Sequence, residues 1–185
     1  MDGVVLAAGY SKRANSYKME LLLGEKTLVQ RSVESFYDIC DRIIVVGGYK
    51  IDKVVAMLSG YSKVKVVFNK YYEKGMFTSV KEGIRHVESQ RFYFTPGDYP
   101  FIDKKLCIDM AKVDSDIVIP TFQGKRGHPI LLSSNLIKDI LKQPDDSNLK
   151  KFINNRAYSL LESSNDNIFI DIDTKEDYME ALRRL

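Results

Sequence analysis

The sequence has little of what marks the specialised protein classes. Only two cysteines occur in 185 residues, Cys40 and Cys107, far apart and in no C-x-x-C pair. They read as free thiols of a reducing compartment rather than as a disulfide framework. One-sided charge is also missing: 28 Lys and Arg stand against 25 Asp and Glu, a net +3, with no basic arm or acidic tail. That balance is too small to point to nucleic acid. No apolar run approaches the ~20 residues that cross a bilayer. The opening "MDGVVLAAG" enters a strand pattern without the basic and long apolar regions of a signal peptide. A cytoplasmic protein that engages neither membrane nor nucleic acid is expected. Repeats, low-complexity tracts and linkers are lacking, so one domain over 1–185 is expected. Two glycine fingerprints are lacking as well. No G-x-G-x-x-G follows a strand, which disfavours a nicotinamide-dependent oxidoreductase, and no G-x-x-x-x-G-K-[ST] marks a P-loop. "GEKT" at 24–27 copies only the end of the latter motif.

What is present is ordinary globular composition, 44% hydrophobic and 29% charged, arranged in an alternating order. Short apolar runs suited to strands are "GVVLA" (3–7), "RIIVV" (42–46), "VKVVF" (64–68), "RFYFT" (91–95), "DIVIP" (116–120), "PILLS" (129–133) and "IFIDI" (168–172). Segments with apolar residues three or four apart lie between them. They include Val29, Val33 and Phe36; Ile51, Val54, Val55 and Leu58; Met76, Val80 and Ile84; and Leu136, Ile137, Ile140 and Leu141. "TKED" predicts a last helix with Thr174 and Asp177 as a capping box, burying Tyr178, Leu182 and Leu185. The first four strands are each followed by a helix, as a doubly wound parallel sheet requires. Only "TFQGKRGH" separates "DIVIP" from "PILLS", too little for a crossover helix. That pair is expected to be a hairpin, making an α/β Rossmann-like three-layer sandwich whose mostly parallel, mixed sheet has about seven strands.

Ligands of open α/β sheets sit outside the carboxyl ends of the strands, so the residues after each run are the informative ones. After the first run, "LAAGYSKRANSYK" (6–18) puts Gly9, Ser11, Lys12, Arg13 and Lys18 on one loop. The loop reads equally as a polyphosphate cradle or as a solvated turn. After the fourth run, "TPGDYP" places Asp98 beside Gly97, a position for a carboxylate holding Mg2+ or for a plain turn. In "IFIDIDT", strand alternation would aim Asp171 and Asp173 to one face. A carboxylate in an apolar strand needs a metal or a cationic partner; helix capping is the competing reading for Asp173. "GMFTSVKEG" places Ser79 and Gly83 on one helical face, the glycine implying a close approach by a strand or a ligand. "QGKRGHP" is a glycine-bracketed loop carrying His128, which on its own reads as a structural histidine.

Taken together, "LAAGYSKR…K", "GMFTSVKEG", "GDYP", "GKRGHP" and "DIDTKEDY" resemble the MobA-like nucleotidyltransferase superfamily, and most of all its molybdenum cofactor cytidylyltransferases. The likeness runs from residue 4 to about 180. It implies an NTP substrate, Mg2+, and transfer of CMP from CTP to the phosphate of molybdopterin with loss of pyrophosphate. Leu6, Ala7, Ala8, Gly9, Ser11 and Arg13 would form the nucleotide loop, with Lys18 on the phosphates and Gly75 and Ser79 near base and ribose. Arg13, Lys18 and Asp98 would be catalytic, Asp98 and Asp171 would hold the metal, and Gly127 and His128 would face the acceptor. A molybdoenzyme or its chaperone is an implied transient partner. "LAAG" matches the cytidylyl group where guanylyl relatives carry "LAGG", and a methyl at Ala8 would narrow the base pocket. The alternatives are GTP as donor, another phosphorylated acceptor such as a sugar or polyol phosphate, and a non-catalytic module that delivers molybdopterin. The chain departs from the family pattern at Ala14 and Asn15, at Thr27, at Pro96 and at Tyr99.

Overall fold

The fold was analysed in a computed structural model that describes residues 1–10 and 17–185. The expected strand–helix alternation is present, beginning with β1 (Asp2–Ala7), the two short strands β2 (Leu22–Leu23) and β3 (Lys26–Thr27), and α1 (Leu28–Tyr37). Then come β4 (Arg42–Gly47), α2 (Ile51–Leu58), β5 (Val64–Phe68), α3 (Met76–Ile84), β6 (Arg91–Pro96) and α4 (Lys104–Lys112). The remainder is β7 (Ile117–Phe122), β8 (Lys125–Arg126), β9 (Ile130–Ser133), α5 (Ile137–Lys142), α6 (Leu149–Asn154), β10 (Ser159–Glu162) and α7 (Lys175–Arg183). The main sheet runs β10-β7-β9-β6-β1-β4-β5, with β8 attached to β7. Along that path only β9 is antiparallel to its neighbours. The carboxyl ends of β1, β4, β6 and β7 therefore share a rim with the start of β9.

Burial explains the apolar runs. All six residues of β1 are enclosed, as expected of a central strand covered on both faces. Below the sheet, α1, α2, α4 and α7 pack on Val5, Val45, Tyr93 and Leu131. Above it, α3, α5 and α6 pack on Val4, Val46, Phe94 and Leu132. Three layers result. Helix starts are fixed by side-chain acceptors: Thr27 and Gln30 form a capping box for α1, Thr174 and Asp177 another for α7, and Asp103 caps α4.

Gly83 settles the question raised by its place in a helix. A Cβ there would lie 2.6 Å from Val4 Cγ1 and 2.8 Å from Val46 Cγ2, so the glycine lets α3 press onto the sheet. Gly83→Ala should destabilise the protein by about 1 kcal/mol, overpacking outweighing the gain in helix propensity. A urea midpoint unchanged or raised in that variant would show that the sheet yields freely.

Four expectations need correction. Residues 168–172 are not a strand: Asp166–Phe169 is a 3-10 turn, and the chain continues irregularly to α7. Ile168 and Ile172 are still buried, but their backbone is held by loops, His128 N–H donating to Ile168 O and Ile172 N–H to Asp98 O. The outer strand of the sheet is instead β10, parallel to β7. In α7 the enclosed residue is Ala181, whereas Leu182 and Leu185 face solvent and Tyr178 is half-buried, its hydroxyl donating to Leu22 O. Met76 and Val55, apolar by spacing, are exposed as well.

Candidate active site

The rim of the sheet brings four distant parts of the chain together. Beyond β1 a 3-10 turn, Lys18–Glu20, holds Lys18 largely buried, its ammonium pointing inward. Its Nζ donates to Asp98 Oδ2 and to Asp173 Oδ1, both at 2.7 Å. Asp98 follows β6, and Gly97 is needed there because a Cβ would come 2.8 Å from Leu6 O. The bond from Ile172 N–H to Asp98 O then places Asp171 and Asp173, one on each side of Ile172, against the same spot. Asp98, Asp171 and Asp173 each offer an oxygen within 4.8 Å of the others.

Electrostatics at this spot are lopsided. Among the described residues one ammonium faces three carboxylates. Burial disfavours the charged form of Lys18, but Asp98 and Asp173 outweigh it and hold its pKa above the ordinary value. Asp171 is pushed above the usual carboxylate range by burial and by the charges of Asp98 and Asp173. Asp98 Oδ1 is buried and has no hydrogen-bond partner among the described residues. Such an atom is costly unless something occupies its lone pairs.

Of the residues singled out by sequence, Leu6, Ala7, Ala8, Gly9, Lys18, Gly75, Ser79, Asp98 and Asp171 line one cleft of about 690 Å³. Gly9 is exposed, and a Cβ on it would meet nothing within 4 Å among the described residues. Gly75 has φ +116° at the start of α3, a conformation that L side chains rarely adopt. Ser79 is buried, its hydroxyl accepting from Asn69 Nδ2 at 2.9 Å. Ser11 and Arg13 lie outside the described residues. His128 borders this cleft and a second one of about 740 Å³, which Gly127 also lines. Burial lowers the His128 pKa to about 4 against opposing pulls from the Phe94 backbone and Asp98, so its ring is neutral at pH 7. The ring lies 4.7 Å, centroid to centroid, from that of Tyr99.

Sequence reasoning reached the acidic convergence through a strand that does not exist. It also missed Asp173 as a partner of Lys18 and the aromatic wall of the cleft. Tyr10 lies 5.2 Å from Tyr49 and 5.4 Å from Tyr72, ring to ring, and Tyr72 sits where a Cβ on Gly48 would be, 2.6 Å away. The signal available was "NKYYEKG" after β5, whose tyrosines have no helical or strand period to place them.

Comparison with known proteins supplies the family. Residues 3–162 match the MobA-like NTP transferase domain. Over 185 residues the chain is 28% identical to "Molybdenum cofactor cytidylyltransferase" of Escherichia coli (strain K12), covering 100% of this chain and 96% of that protein. It is 25% identical to "Probable molybdenum cofactor guanylyltransferase" of Bacillus cytotoxicus, covering 97% and 95%. A solved nucleotidyl transferase of Methanothermobacter thermautotroptrophicus superposes with a TM-score of 0.86 at 22% identity, covering 100% of this chain and 98% of that one. By the domain that it matches over most of its length, the chain belongs to the MobA-like NTP transferase family and is a nucleotidyltransferase.

Proposed function

We propose that the enzyme transfers CMP from CTP to the phosphate of molybdopterin, releasing pyrophosphate, with Mg2+ held by Asp98 and Asp171. The observation that supports it most is the meeting of Lys18, Asp98, Asp171 and Asp173 on the rim, in the cleft that Gly9 also lines. The donor set suits a hard cation. It is all oxygen, it includes a buried carboxylate atom with no partner among the described residues, and its three carboxylates offer oxygens within 4.8 Å of one another, so Asp98 and Asp171 would hold the ion. Bound there, the ion would neutralise charge on the α-phosphate and on the departing pyrophosphate.

The chain's own part is alignment. An acceptor phosphate oxygen attacks the α-phosphorus, a new P–O bond forms, and the bond to the β-phosphate oxygen breaks. The nucleophile is already ionised at neutral pH, so no general base is required, in keeping with a neutral His128. Lys18, kept charged by its carboxylate partners, would meet the triphosphate as a point charge. Gly9 carries no side chain, so a ligand could approach the backbone there. Ser11 and Arg13 would complete the loop. Ala8 and Tyr72 line the cleft, and a methyl at Ala8 would narrow the base pocket in favour of a single-ring base.

The test is pyrophosphate release from each nucleoside triphosphate in the presence of molybdopterin and Mg2+. CTP should outcompete GTP by about tenfold or more, since a misfitting base in a narrow pocket costs ~1–3 kcal/mol. Preference for GTP would overturn the cytidylyl assignment. Release only with a sugar or polyol phosphate would overturn the acceptor.

A further inference from the structure

The two clefts at the rim differ sharply in charge. The one beside Asp98 holds the acidic cluster, whereas among the described residues no carboxylate lines the second. Instead three cations, Lys125, Arg126 and Lys150, stand around a floor that includes Phe77, Ile119 and Ile153. Among the described residues none of the three forms an ion pair, so no carboxylate neutralises them at the cavity. Arg126 is held in place by Asn154, its Nη1 donating to Oδ1 at 3.0 Å, and by the Tyr158 ring 5.3 Å from the guanidinium carbon. Lys125 and Arg126 are adjacent in β8, and α6 brings Lys150 to the same cavity. Uncompensated like charges gathered on a concave apolar surface are unfavourable until an anion arrives, and a concave wall strengthens their field.

We infer that this second cavity takes a ligand with a flat apolar body and an anionic group of its own, read by Lys125, Arg126 and Lys150. The cavity opens onto the acidic cleft at Met76, Pro96, Tyr99 and His128. Resting on the reading above, that ligand is the acceptor. Its reacting phosphate points toward Asp98, and its second negative centre lies at the far end of the cavity. An acceptor with a phosphate but no second anion would then bind poorly, whatever its ring system.

The charge term can be isolated with two fluorescent probes that share the same rings, anionic 8-anilino-1-naphthalenesulfonate and uncharged N-phenyl-1-naphthylamine. All three cations are exposed, so a triple variant, Lys125→Gln, Arg126→Gln and Lys150→Gln, should fold. Its affinity for the sulfonate should fall about tenfold, while the neutral probe binds within about twofold of wild type. High salt should weaken sulfonate binding to the wild type and leave the variant nearly unaffected. Equal sulfonate binding by both proteins, or equal loss of both probes in the variant, would overturn the inference. Pyrophosphate release by the wild type reports separately on the transferase reading. Intact probe discrimination with no release from any acceptor would keep the cavity's ligand class and remove only its assignment as acceptor.

Discussion

Asp98→Ala is expected to lower turnover by about a thousandfold or more while the protein stays folded. The argument has two halves. Chemically, nucleotidyl transfer to a phosphate leaves the protein nothing to do but align and neutralise. Among the described residues Asp98 is the one carboxylate that both binds Lys18 and keeps a buried oxygen without a partner. Structurally, removing the side chain should cost little. The tie that holds the 168–173 segment in place runs through the Asp98 backbone carbonyl, which alanine retains. Lys18 also keeps its 2.7 Å bond to Asp173, so its ammonium is not stranded. Circular dichroism and the urea midpoint should match wild type. Asp98→Asn, which preserves shape and removes charge, should lose nearly as much activity. Turnover within about tenfold of wild type in either variant would remove Asp98 from the metal and phosphate machinery, because loss of a group acting only in the transition state costs far more.

How much of this was legible in the sequence depended on whether the relevant contact was local. The strands β1, β4, β5, β6, β7 and β9 could be read because each is a short apolar run with turn residues at its ends, and the capping box of α7 could be read because two residues three apart define it. The 166–173 segment misled for a physical reason. Ile168 and Ile172 bury as strand residues would, but their backbone groups are satisfied by the His128 and Asp98 loops instead of by a ladder, and only tertiary contacts separate those outcomes. β10 has the opposite character. As an exposed edge its apolar pattern is weak, so pairing with β7 defines it and periodicity does not. The Lys18–Asp173 pair spans 155 positions; charge alone cannot select that partner among 25 acidic residues. The family motifs carried the acidic site further than the residues read singly, whereas the three cations of the second cavity belong to no motif quoted for the family except through "GKRGHP".

The largest effect on stability should come from the opposite end of the sheet, at Asp2. Its side chain is fully buried at the start of β1 and accepts five hydrogen bonds: two from the Arg42 guanidinium, at 2.8 and 3.4 Å, one each from the Glu88 and Ser89 backbone N–H groups, and one from the Ser89 hydroxyl. These contacts staple β4 and the turn after α3 to the first strand. Asp2→Ala strands several buried donors at once and should cost about 3 kcal/mol, a large share of the 5–15 kcal/mol typical of a folded protein. Arg42 is partly exposed and retains Glu88, which keeps the loss from being greater. The pH dependence has a definite sign. Burial works to raise the Asp2 pKa, but the bonds from Arg42, Glu88 and Ser89 prevail and hold it below the usual carboxylate value. A depressed folded pKa means that the stabilisation is complete above the unfolded value of about 3.9 and fades as pH falls through the folded one. The gap in urea midpoint between wild type and Asp2→Ala should therefore be widest near neutrality and shrink below about pH 4. A gap that stays constant down to strong acid would mean that shape, not charge, is what Asp2 contributes.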